Sequence, residues 1–191
     1  MIRDFEMASR FGGKWNGALA IVLLSALAYI LIFGAYFYKL DRLGHFMPAS
    51  FSVSGRTFAF SSFAWNQNQE FRGLMNTTVN SSTFMLFNVA GTLLCPASND
   101  TCPFWMYDTP DALDIIWIDV NASGQGHVVY FVNATPYNAT QNKLCGYANS
   151  GNSFCPIYTP HSYANYVIET DQGFSNRVKL YDGENITLNY G

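Results

Sequence analysis

The chain has 191 residues, ten Lys and Arg against thirteen Asp and Glu, and is 49% hydrophobic and 17% aromatic. That is enough apolar matter for one ordinary domain with a core, and it is unlike a disordered acidic tail. Beyond residue 50 the cations are Arg56, Arg72, Lys143, Arg177 and Lys179 against ten carboxylates, with no basic run, so no nucleic-acid partner is expected.

Residues 1–14 place Ile2, Phe5, Met7, Ala8 and Phe11 near a helical period with charges between them, which reads as a short cytoplasmic, interfacial segment or an irregular tail. Residues 15–38 (WNGALAIVLLSALAYILIFGAYFY) hold no Asp, Glu, Lys or Arg. About 20 apolar residues at 1.5 Å rise cross a bilayer core, and a helix satisfies its own backbone there, so the stretch predicts a transmembrane helix. Trp15 and the pair Tyr36 and Tyr38 mark its two interfaces. A cleaved signal peptide has a shorter apolar core and a small-residue exit. Here Lys39, Leu40, Asp41 and Arg42 follow instead, so an uncleaved anchor is expected.

Residues 39–49 read as a juxtamembrane link, and from residue 50 the period changes to two. Phe51 and Val53 alternate with serines, and Thr83 to Leu94 forms a second strand region. LDIIWIDV (113–120) and HVVYFVN (127–133), joined by a Gly/Asn/Ser turn, read as a hairpin whose first strand is buried on both faces. A last hairpin is expected from RVKLY (177–181), the Asp182-Gly183 turn and NITLNY (185–190), with YANYVIET (163–170) before it. Seven or eight strands with regular turns predict a mainly β external domain over 50–191. The expected form is an antiparallel two-sheet sandwich, immunoglobulin-like or cupredoxin-like.

Cys95, Cys102, Cys145 and Cys155 all fall in that domain, and their spacing suggests two local disulfides, Cys95–Cys102 and Cys145–Cys155. Asn-x-Ser/Thr occurs at Asn76, Asn80, Asn99, Asn121, Asn133, Asn138 and Asn185, all on the same side of the apolar stretch. Pro136 after the Asn133 triplet makes that one the weakest acceptor. Disulfides and glycan acceptors together place the domain outside and the N-terminus inside.

For chemistry, His127, Cys155 and His161 stand in the order of a cupredoxin copper site, but no Met follows His161 and Cys145 is available to oxidise Cys155. Asp108, Asp111, Asp114 and Asp119 are dense without a calcium-loop spacing. Hydrolase, zinc-peptidase and phosphate-loop motifs are missing. Neither catalytic residues nor a resident cofactor is therefore expected. The expected function is that of a non-enzymatic, single-pass membrane glycoprotein. It would serve as a structural or accessory subunit of a membrane, cell-surface or virion-envelope assembly, with the lipid bilayer and other subunits as partners. A membrane-anchored cupredoxin-like electron carrier, or an accessory subunit of a membrane oxidoreductase, is the alternative.

Overall fold

The computed structural model describes residue 29, residues 47–92, residue 95, residues 101–145 and residues 155–190. Two compact units divide the chain, Met1–Met47 and Pro48–Gly191. Of the first, only Tyr29 and Met47 are described, and Tyr29 is helical and exposed. The expected anchor 15–38, the segment 1–14 and most of the link 39–49 lie outside the described residues. Among the described residues no helix is long and apolar enough to cross a membrane.

The second unit is mainly β. Its strands are β1 (Pro48–Val53), β2 (Arg56–Ala59), β3 (Ser62–Ala64), β4 (Phe84–Asn88), β5 (Phe104–Trp105), β6 (Leu113–Val120), β7 (Gln125–Ala134), β8 (Ile157–Tyr158), β9 (Tyr166–Asp171) and β10 (Asn185–Tyr190). Among the described residues three short helices interrupt them: α1 (Gln67–Arg72), α2 (Ala139–Leu144) and α3 (Phe174–Val178). Eight strands make one sheet in the order β2-β1-β10-β7-β6-β9-β4-β3, while β5 and β8 pair separately. Among the described residues only β3 and β4 run parallel.

This corrects the expected sandwich. β2 and β3 are the opposite ends of the sheet, yet Phe60 and Ser61 alone connect them in the chain. The sheet must therefore curl back on itself. The Phe51 ring on β1 lies 5.4 Å from that of Phe84 on β4, although four strands stand between them in the order. The Ser61 amide also donates to the Phe84 carbonyl at 2.9 Å. Closure rather than stacking buries the inner face, and right-handed strand twist favours such curling. Sequence periodicity cannot separate the two solutions, because both need alternating strands.

The inner face carries Phe51, Val53, Phe84, Leu86, Ile116, Ile118, Val128, Ile168, Ile186 and Leu188. The outer face of the central strands is also buried, through Met85, Phe87, Leu113, Ile115, Trp117 and Val167. Ile115 to Ile118 are all at most 1% exposed, which explains the unbroken apolar run in β6. Gly126 lets β7 start against β6, since a Cβ there would sit 1.9 Å from the Asp119 carbonyl oxygen.

The expected strand at RVKLY is absent, because residues 174–178 are helical. Gly173 precedes α3 with a left-handed backbone and has no side chain to cap it. The carboxylate of Asp114, on β6, accepts from the Gly173 amide at 3.2 Å and the Ser175 amide at 2.7 Å instead. A helix start capped from about 60 residues away is invisible to local pattern. The helix in turn sends Phe174 into the inner core, 4.9 Å from Phe58 and 5.2 Å from Phe84.

Candidate functional site

Two polar sites stand out against this apolar framework. The first is a pair of buried carboxylates on the outer side of the sheet. Glu169 interrupts the apolar run of β9, between Met85 of β4 and Ile115 of β6, and is 4% exposed. Glu70 belongs to α1, which Asn66 caps by accepting from the Gln69 amide at 3.1 Å. Both glutamates line a space of about 20 Å³, the size of one water molecule, with Arg72, Gly73, Leu74 and Thr109 around it. Each has an Oε2 that is buried without a hydrogen-bond partner.

Burial pushes the Glu169 carboxyl up to about 8, opposed only in part by a hydrogen bond from the Leu74 backbone. Burial raises Glu70 as well, with a hydrogen bond to the Thr92 side chain pulling the other way. Gly73 shapes the space. It follows α1 at φ +47°, and a Cβ there would lie 3.1 Å from Glu169 Oε2 and 3.3 Å from Phe87. A space this small admits no organic substrate, and it lies where α1 meets the sheet.

The second site is an open groove of about 390 Å³ lined by Ser54, Arg56, Arg177, Val178, Lys179, Tyr181 and Glu184. It gathers three of the five cations beyond residue 50, which are scattered in sequence. Arg56 begins β2, Arg177 and Val178 end α3, Lys179 caps that helix, and Tyr181 and Glu184 lead into β10. Arg177 is held by Asp171 at 2.7 Å and by stacking of its guanidinium 5.9 Å from the Phe174 ring centroid. Glu184 is 7% exposed; its Oε1 accepts from the Ser54 hydroxyl and its Oε2 has no partner.

Neither site contains the residues singled out from sequence. Cys95 bonds to Cys102 and Cys145 to Cys155, and no free cysteine remains. With its sulfur in a disulfide, Cys155 supplies no thiolate, which removes the copper arrangement with His127 and His161. His127 pairs with Asp119 and Asn185 across the sheet, and His161 lies against the Tyr130 ring at 4.4 Å. Among the described residues no group of three His, Cys, Asp or Glu is placed to hold a metal.

Two of the dense aspartates serve the backbone: Asp111 accepts from the Val79 amide at 2.7 Å, and Asp114 caps α3. Asn76, Asn80, Asn121, Asn133, Asn138 and Asn185 are exposed, while Asn99 lies outside the described residues. Asn133 is already committed, its side-chain amide donating to Asp114. Asn138 caps α2 through a reciprocal capping box with Gln141.

The functional candidates that sequence reading missed are Glu70, Glu169, Arg56, Arg177, Lys179 and Glu184. A lone carboxylate inside the apolar run YVIET was a usable signal for Glu169. The groove had none, since its cations come together only through the curl of the sheet.

A single curled sheet with an apolar interior, a loop-covered outer face and a cationic groove defines the class. The chain belongs to the family described as DUF192, Uncharacterized ACR, COG1430, whose model matches residues 52–188. Similar solved structures include a protein of unknown function from Novosphingobium aromaticivorans DSM 12444, with a TM-score of 0.51 and 22% identity over 72% of this chain and 82% of that one. A candidate transcription regulator from Sinorhizobium meliloti 1021 is likewise similar, with a TM-score of 0.51 and 21% identity over 72% and 88%. At these identities the likeness concerns the fold alone. No curated protein matches the chain.

Proposed function

We propose that this protein is a non-enzymatic, single-pass membrane protein whose β domain stands outside the membrane as a structural or accessory subunit of a membrane, cell-surface or envelope assembly. One observation carries the reading: an uncharged apolar stretch at 15–38 precedes a domain in which all four cysteines are paired. The first is long enough to anchor the chain, and paired cysteines belong to an oxidising compartment. Exposed acceptor asparagines support the same side for the domain. The described cavities support recognition rather than catalysis. One holds about a water's volume, and the larger is lined by cations, hydroxyls and a carboxylate with no Cys or His.

Protease treatment of intact cells tests this reading directly. The segment from residue 48 onward should be cleaved from outside, migrate faster after glycosidase where the host glycosylates, and contain no alkylatable thiol until reduced. A protected domain with four free thiols would reverse the orientation and the compartment together.

A further inference from the structure

The apolar interior of the curled sheet has two ends, and they are closed differently. At one end α3 follows β9 and sends Phe174 and Val178 into the inner cluster. At the other, where β9 begins and β10 ends, Tyr166 and Tyr190 pack against that cluster and stay partly exposed. Burial first, then the neighbouring Tyr190 and Tyr163, push the Tyr166 phenol up to about 12, so the three rings gather at one mouth.

The strand registers trace this mouth around the sheet. Tyr190 pairs with Pro48, the first residue of β1. Beside it the Phe60 amide donates to the Ala49 carbonyl at 3.1 Å. The Phe60 ring lies 5.7 Å from that of Phe63, and Trp65 stacks on Phe63 at 5.2 Å. Trp65 follows Ala64, which pairs with Phe87, and the next residue of β4, Asn88, pairs with Tyr166. The β6–β7 turn completes the circuit, since a Cβ on Gly124 would lie 2.8 Å from the Tyr190 ring. Phe60, Phe63, Trp65 and Tyr163 are partly exposed as well.

The segments that make this rim carry no charge. Asp, Glu, Lys and Arg are missing from residues 47–55, 57–69, 84–92, 120–126, 162–168 and 185–190. Asp119 comes nearest, but alternation along β6 puts it on the outer face with Ile115 and Trp117. Arg177 and Lys179 belong to the opposite end, with α3, and Arg56 lies in the groove beside them. Aromatic rings with a polar tip and no charged neighbours favour the headgroup zone of a bilayer, where body and tip are both satisfied.

Position along the chain names the occupant. Only residues 39–47 separate Pro48 from the apolar stretch 15–38, and nine residues reach about 30 Å at most. The end of the domain tethered nearest to lipid is therefore the uncharged, aromatic one. We infer that this mouth rests on the surface of the bilayer that holds the chain, with Trp65, Tyr163, Tyr166 and Tyr190 among neutral lipid headgroups. The inference rests on the anchored reading and adds to it which face of the domain meets the membrane.

Tryptophan quenching tests both, separately, with the full chain in phosphatidylcholine nanodiscs whose headgroups carry a nitroxide. The signal of Trp65 is the difference between wild type and Trp65→Phe, which keeps an aromatic ring on Phe63 and should melt like wild type. That signal should fall about twofold on adding the nitroxide lipid, while Trp117, 0% exposed, should be unaffected. Adding phosphatidylglycerol should change nothing, because the rim has no charge to answer it. The signal of Trp15, taken in the same way from Trp15→Phe, reports the anchor by itself.

Quenching of Trp15 without Trp65 would overturn this inference and leave the anchor standing. Quenching of Trp65 without Trp15 would support the mouth and remove the anchor, and quenching of neither would overturn both. Shielding of Trp65 from aqueous iodide without any lipid quenching would assign the mouth to another protein chain, against the inference. Contact that appears only with phosphatidylglycerol would also count against it. So would a glycan on Asn121 in protein from the native host, since that residue begins the turn lying against Tyr190.

Discussion

The inner and outer faces of the sheet are both buried, but by different means. Inside, regular strands cover one another: phenylalanines 51, 58, 84 and 174 meet at centroid distances of 4.9 to 6.0 Å, supplied by β1, β2, β4 and α3. Outside, Trp117 and its neighbours are covered by segments with little regular structure, among them the two-residue strands β5 and β8. The Trp117 indole donates to the Cys102 carbonyl at 2.8 Å, and all four cysteines pack in that cluster. Curling encloses an apolar interior through the path of the chain itself. An outer face has no such geometry and needs its cover fastened, here by disulfides.

The inner face should be the less forgiving. Ile116→Asp places a carboxylate where the side chain is 1% exposed among Phe51, Ile168 and Leu188, with no cation in that cluster. The expected loss exceeds about 4 kcal/mol, because the charge must be buried unpaired or neutralised. Circular dichroism and urea titration should find the variant unfolded or nearly so. Wild-type-like melting would mean that the interior is wet and the contrast between faces false.

On the outer face the largest expected effect is on pH dependence. Glu169 holds its proton up to about 8 in the fold, against 4.5 for the ordinary group. Between those values the native state binds a proton that the unfolded chain has released, so stability is full below about 4.5 and falls as pH rises toward 8. The slope approaches roughly 1.4 kcal/mol per pH unit, and Glu70, raised by burial beside it, acts in the same direction. Glu169→Gln should flatten this slope and raise the melting temperature at pH 8. A flat profile in wild type would show that the pair is solvated.

Breaking the staples should separate the faces kinetically. Loops of 7 and 10 residues are closed by the two bonds, and losing each should cost roughly 2–3 kcal/mol. In hydrogen exchange, reduction should expose the amides of Phe104 and Ile157 first and leave Phe51 and Leu188 protected. Uniform loss of protection would make the two cores one cooperative unit.

Most of the strands were legible because their cause is local. β6 is an unbroken apolar run because both of its faces are buried, and β1 and β10 alternate because one of theirs is. The closure of the sheet was not legible, since it depends on the two-residue link at Phe60 and Ser61, which reads as an ordinary turn. Of the sites, only Glu169 left a trace in sequence. Arg56, Arg177, Lys179 and Glu184 are brought together by the β1–β2 turn meeting α3, and α3 itself was misread as a strand. Val178 and Leu180 gave RVKLY a period of two, while the cap that decides the matter sits on β6.

That cap yields the smallest and most specific test. Asp114 is fully buried and serves three donors: the Asn133 side chain and the Gly173 amide on Oδ1, and the Ser175 amide on Oδ2. Asp114→Asn keeps the shape but leaves one oxygen for these donors and turns an amide toward at least one of them. The expected cost is about 1–2 kcal/mol, the loss of one charge-assisted hydrogen bond in a buried place. The damage should be local to α3, so Phe174 and Arg177 should loosen before any strand does. In hydrogen exchange the α3 amides should lose protection in the variant while those of β6 and β9 keep theirs. Unchanged α3 protection with a lowered melting point would mean that Asp171 and Phe174 hold Arg177 without help from the cap.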